Sequence, residues 1–184
     1  MGGNAGIDGK FTLWLTGLSG SGKTTIAQNL LRELEDRGYQ CELIDGDAVR
    51  KFFGNDTDYT RSGRNENVKR IIFAAKLLSR NGVITIVANI APYEEIRELA
   101  RKEIDNYIQV YVKASIETCI RRDPKGIYAK ALVGEESHVV GLDDQYEEPK
   151  NPEVTVDTED QSVSCSVKAI MNYLDQHNLL PIVS

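Results

Sequence analysis

The sequence predicts an α/β protein built on a parallel sheet with helices on both faces. Three observations predict it. Short apolar runs alternate with segments whose apolar residues recur at helical spacing, the pattern of repeated strand–helix units. One run, Val83 to Ala88 (VITIVA), is apolar almost throughout, as a strand buried on both faces must be. A glycine-rich loop also falls between the first run and the first helical pattern, where such folds bind anions.

The elements follow in order. Phe11 to Thr16 (FTLWLT) reads as the first strand, and the helix after the glycine loop carries Ile26, Leu30 and Leu34 on one face before Gly38 stops it. A second strand is expected near Gln40 to Ile44, ending at Asp45-Gly46-Asp47. Val68, Ile71, Ile72, Ala75 and Leu78 form a helical stripe up to Gly82, and the VITIVA strand follows. A helix from about Tyr93 to Asp105 precedes a strand in Tyr107 to Val112, and a short helix spans about Ile116 to Arg121. The polar stretch Asp123 to Asn151, with a helical piece within Gly126 to Val133, is too long for a plain loop and reads as a mobile functional segment. Glu153 to Val156 reads as the fifth strand. A last helix, about Gln161 to Gln176, is expected to bury Val163, Val167, Ile170 and Leu174.

The chain has 184 residues, one domain's worth. We expect a loose leader over 1–10 and a single domain over 11–184, with a lid over about 123–151. With 22 Lys+Arg against 28 Asp+Glu the net charge is −6, which argues against broad electrostatic binding to nucleic acid or anionic membrane. No apolar run approaches the length of a membrane span. Cys41, Cys119 and Cys165 are widely spaced and form no metal-ligand pattern, so a cytoplasmic location with buried, structural cysteines is expected. His138, within the polar stretch, reads as an exposed loop histidine, with contact to a bound acceptor as the alternative.

The strongest chemical signal is Gly17-Leu18-Ser19-Gly20-Ser21-Gly22-Lys23-Thr24, followed by Thr25, a full match to the phosphate-loop pattern G-x-x-x-x-G-K-[ST] in the required strand-to-helix context. Glycines let successive N–H groups turn toward one anion, at the positive end of a helix dipole. Lys23 can reach the β- and γ-phosphates of a nucleotide and the Thr24 hydroxyl can ligate Mg²⁺. Asp45 and Asp47, at the carboxyl end of the next strand, can hold magnesium directly or through water, or accept a proton from an attacking hydroxyl; a solvated turn is the alternative. Between positions 50 and 70, Arg50, Lys51, Arg61, Arg64, Lys69 and Arg70 face only Asp56, Asp58 and Glu66. That excess suggests an anion pocket around Arg50 and Arg64, with Lys69 and Arg70 read as a solvated helix face.

Together the stretches GLSGSGKTT (17–25), IDGDAVR (44–50), RNEN (64–67), DPKGIY (123–128), DDQYE (143–147) and NPEVT (151–155) resemble the adenylylsulfate kinase family, in its order and over nearly the whole chain. The resemblance implies a P-loop kinase fold of five parallel strands with a lid, usually dimeric. It also implies transfer of the γ-phosphoryl of ATP to the 3′-hydroxyl of adenosine 5′-phosphosulfate, giving 3′-phosphoadenylyl sulfate. By position, Asp47 would be the base or orienter of that hydroxyl and Asp45 a magnesium-associated partner. Arg50, Arg64 and Asn67 would hold the acceptor, Tyr59 would stack on its adenine, Ile90 would lie in the acceptor segment, and Lys125 would cover the ATP phosphates. The chain departs where the family commonly reads FISPYR, with Ala91 for Ser and Glu94 for Arg. It departs again where the lid often reads IKNFTGID, with Val139 for the aromatic that closes on the base and Ser137 for Lys. Related kinases act on other acceptors, such as cytidine diphosphoramidate, which is the alternative reading here. Two further alternatives are a nucleotide-dependent switch and a phosphate-loop subunit without catalysis. The switch is opposed by the lack of an N-K-x-D motif and the inactive subunit by intact Lys23, Thr24, Asp45 and Asp47.

Overall fold

A computed structural model describes residues 11–180; the leader expected over 1–10 lies outside the described residues. Five strands form one parallel sheet: β1 (Thr12–Thr16), β2 (Cys41–Asp45), β3 (Ile84–Ala88), β4 (Tyr107–Lys113) and β5 (Val154–Asp157), in the order β2-β3-β1-β4-β5. Leu13 sits opposite Ile86 on one side and Ile108 on the other. Alternation then divides β1 between two cores. Leu13 and Leu15 pack with Ile26, Leu30 and Leu34 of α1 (Lys23–Asp36) and Ile170 and Leu174 of α7 (Val163–Gln176). Trp14 faces the opposite layer, against Val68, Ile71 and Ala75 of α3 (Arg61–Arg80) and Ile96 and Ala100 of α4 (Glu94–Glu103). Truncating Leu30 or Ile71, both fully buried, to Ala should cost about 2–5 kcal/mol, because neighbours on both sides cannot close the gap.

The predicted elements are present, with differences that have physical causes. A seven-residue helix, α2 (Gly46–Phe52), follows β2 without a loop because the Asp45 side chain accepts from the N–H groups of Asp47 and Ala48 and so caps it. The helix expected from Tyr93 begins at Glu94, since Tyr93 is extended at the cap. On α7, Val163 is exposed rather than buried, one turn before the stripe that reaches the core. Of the cysteines, only Cys119 is buried; Cys165 is exposed and Cys41 intermediate.

The long polar stretch is not plain loop. After α5 (Ile116–Arg122) it forms α6 (Ile127–Leu132) and carries its own small core, in which Tyr128, Val139 and Val140 pack on Leu18, Ala114 and Cys119. Asp143 fastens it locally by accepting from the N–H groups of His138 and Val139, both at 2.6 Å.

Candidate active site

All five strands point their carboxyl ends at one edge, and a cleft of about 870 Å³ opens there. The phosphate loop forms one wall. Lys23 is buried, and its Nζ donates to the carbonyls of Gly17 at 2.9 Å and Leu18 at 2.7 Å. Burial, reinforced by the nearby charge of Lys125, pushes its ammonium down to about 8. Ser19, Gly20, Ser21, Gly22, Lys23, Thr24 and Thr25 all line the cleft. Gly17, expected among them, does not; it stands behind the loop, where its φ is +153° and a Cβ would lie 2.4 Å from the Val112 carbonyl oxygen. Its contribution is the close approach to β4, which no side chain permits.

The opposite wall grows from β2, β3 and α3. The Thr24 hydroxyl donates to Asp45 Oδ2 at 3.3 Å, while Asp45 Oδ1 is occupied by the cap of α2. Asp47 projects from the first turn of α2, where Lys125 reaches across from the lid and donates to its Oδ2. Gly46 packs so closely on Asn89 that a Cβ would lie 2.0 Å from the Asn89 amide nitrogen. Asn67 is buried and donates to the Gly46 carbonyl at 3.2 Å, and its own Oδ1 has no partner.

The structure brings Arg50, Tyr59, Arg64, Asn67, Ile90, Lys125 and Val139 to this cleft, with more intramolecular commitments than sequence suggests. Arg50 Nη1 donates to the carbonyls of Thr57 and Asp58 and to the Thr57 hydroxyl, pinning the loop before α3. Arg64 donates from Nε to the Tyr59 carbonyl at 2.9 Å and from Nη2 to the His138 carbonyl, joining α3 to the lid. The Tyr59 ring, half-exposed, faces both guanidiniums at 4.6 and 5.2 Å. Ile90 gives its carbonyl to the Thr16 hydroxyl, which also meets Tyr146. The departures at 91 and 94 have a structural counterpart: Arg97, almost fully buried, donates to the Ala91 carbonyl at 2.7 Å and pairs with Glu94. Arg70 pairs with Asp56 and Lys69 with Glu66, as a solvated face would.

Sequence reasoning missed three supports. Arg122 donates to the Gly20 carbonyl at 3.4 Å and the Thr158 carbonyl at 2.7 Å, Thr158 donates to the Ser21 carbonyl at 2.9 Å, and Tyr128 donates to the Ser19 carbonyl at 3.0 Å. Thr158 and Asn89 stand just beyond the carboxyl ends of β5 and β3, where ligands gather in open parallel sheets. That rule applied to every strand would have found both.

A phosphate loop on β1, facing a carboxylate pair and an arginine-lined wall across a cleft that residues 124–140 help to line, defines a P-loop kinase. The chain belongs to the adenylylsulphate kinase family, whose model matches residues 9–157. It is 51% identical over 148 residues to a probable adenylyl-sulfate kinase of Pyrococcus abyssi, covering 80% of this chain and 85% of that one. It is 43% identical over 165 residues to the adenylyl-sulfate kinase of Halothermothrix orenii, covering 90% and 89%. Among solved structures it resembles the Mycobacterium tuberculosis APS kinase in complex with AMPPNP and APS, with a TM-score of 0.86, 36% identity and coverage of 90% and 97%. A gluconokinase from Sinorhizobium meliloti, 20% identical with a TM-score of 0.64 over 91% and 93%, shares the fold.

Proposed function

We propose that this chain transfers the γ-phosphoryl of ATP to the 3′-hydroxyl of adenosine 5′-phosphosulfate, within a single kinase domain over 11–184 whose lid covers about 123–151. The observation that carries the reading is that the phosphate loop, the Asp45–Asp47 pair and the Arg50–Tyr59–Arg64–Asn67 wall line one cleft together. Family membership supports the same substrates.

In this reading the loop's N–H groups and Lys23 hold the β- and γ-phosphates, where a fixed positive charge stabilises the transition state without reorganising. Asp47 takes the proton of the attacking hydroxyl, or orients it. Lys125 leaves Asp47 for the phosphates once ATP is bound, which frees the carboxylate for that task. Arg50, Arg64, Asn67 and Ile90 position the acceptor, Tyr59 offers a ring to its base and Val139 an aliphatic wall. The residues also fit Mg²⁺. Thr24 and Asp45 supply hard oxygen donors 3.3 Å apart, and among the described residues no cluster of three His, Cys, Asp or Glu could hold a metal alone. Bound there beside phosphate oxygens, Mg²⁺ would neutralise charge building on the transferring group.

A homodimer belongs to the same reading, supported by exposed Phe52, Phe53, Phe73 and Leu77 on α2 and α3 and the turn between them. A cytoplasmic location is supported by three free cysteines. ADP release with adenylylsulfate, with a cytidine diphosphoramidate acceptor and with no acceptor tests the function. Acceptor-dependent turnover fastest with adenylylsulfate is expected; faster turnover with the cytidine compound would reassign the acceptor and leave the kinase reading intact.

A further inference from the structure

His138 stands at the cleft with no task in the transfer described above. His138 lines the wall formed by the lid, half-exposed, and its backbone is held at φ +60°. A non-glycine residue stays in that region only where its surroundings fix it. Here Asp143 accepts its N–H at 2.6 Å and Arg64 donates to its carbonyl. The ring is fixed as well, with Nδ1 3.4 Å from Asp144 Oδ1. A proton on Nδ1 is therefore directed at Asp144, and Nε2 is the nitrogen left for a ligand. The charged groups facing His138 are Asp143 and Asp144 of the lid, Asp58 of the loop before α3, and Arg64 of α3. The guanidiniums on the same wall already donate to protein carbonyls, Arg50 at Thr57 and Asp58 and Arg64 at Tyr59 and His138.

We propose that His138 is an acceptor-recognition residue whose protonated imidazole donates to the acceptor's anionic phosphosulfate, so that acceptor affinity falls as the ring loses its charge. The proposal rests on the acceptor reading above and deepens it. With both nitrogens protonated, one N–H serves Asp144 and the other an anion. When neutral, the ring keeps its proton toward Asp144 and turns a lone pair to the anion. The phosphosulfate is the anhydride of two strong acids and keeps its charges across the range in which imidazole titrates, so an inflection there belongs to the protein.

The test uses the full chain at saturating ATP, with adenylylsulfate varied from pH 5.5 to 8. The wild-type acceptor KM should rise about fivefold or more with pH, as loss of one charge-assisted hydrogen bond at a half-exposed site implies. In His138→Asn, whose side chain tolerates the left-handed backbone, KM should stay flat at the wild-type high-pH value, while kcat and the ATP KM follow wild type. Adding Ser137→Lys to it, at a neighbouring cleft position, should restore tight binding without the slope. A slope that survives in folded His138→Asn overturns the role of His138 alone. No transfer to adenylylsulfate by wild type at any pH overturns the acceptor reading, and this proposal with it.

Discussion

Filling the phosphate loop should draw a proton onto Lys23. That ammonium is buried among carbonyls and pushed down to about 8, chiefly by burial. Phosphate oxygens around it would return the group to full protonation. At pH 9 the free protein then holds only about a tenth of a proton there, so ADP or ATP should take up about 0.9 proton on binding; at pH 7 uptake falls to about 0.1. The nucleotide phosphates are fully ionised at pH 9 and contribute nothing to this count. Titration calorimetry in two buffers of different ionisation enthalpy reads the uptake directly. The same depression predicts a stability effect of definite sign. Below pH 8 Lys23 is charged in both folded and unfolded chains, and the burial cost, on the order of 3 kcal/mol for this shift, is fully present. Between about 8 and 10.5 the folded state has released the proton and the unfolded state has not, so the cost is relieved as pH rises. Lys23→Met should therefore melt higher than wild type at pH 7 without nucleotide, with the gap closing toward pH 10. No proton uptake at pH 9, or a Met variant less stable at pH 7, would refute the reasoning.

Asp47→Asn keeps size and loses the proton acceptor, so kcat should fall 10²-fold or more with ATP affinity little changed; initial-rate kinetics decide between this and a purely positioning role. Val139→Phe adds a ring at the cleft and should tighten adenylylsulfate binding about fivefold, the effect of a stack of about 1 kcal/mol. Weaker binding in equilibrium titrations would show that position 139 does not meet the base. Arg122→Ala removes the donor to Gly20 and Thr158 and should weaken ATP more than acceptor, read as a rise in the ATP KM alone. Amide exchange over residues 123–144 should slow when ADP and acceptor are both present; equal exchange in both states would argue for a static lid.

The sheet was legible because VITIVA is apolar almost throughout, YIQVYV is rich in β-forming residues, and Ile26, Leu30 and Leu34 repeat at helical spacing. Short-range pattern also exposed the phosphate loop, whose chemistry is local. What stayed hidden depends on partners distant in sequence. Arg50 and Arg64 read as ligand-gripping side chains, yet their first partners are carbonyls of residues 57–59 and 138, which no spacing rule connects. The α2 helix was missed because Asp45 and Gly46 are turn residues by composition, and only the cap hydrogen bonds turn them into a helix start. Val163 continues the apolar stripe of α7 in sequence but lies exposed at the cleft rather than under the core.

The strand order has a consequence for how donor and acceptor sides stay aligned. β3 lies between β1, which carries the phosphate loop, and β2, which carries Asp45. Neighbouring strands run about 4.8 Å apart, so the backbones that carry loop and carboxylates stand two intervals, about 10 Å, apart, and the Thr24 and Asp45 side chains lean in from either side to meet at 3.3 Å. Backbone pairing, rather than any side chain in the cleft, acts as the ruler for that gap. Side chains on the far wall can therefore be exchanged to suit a different alcohol while the distance over which phosphate must travel stays constant.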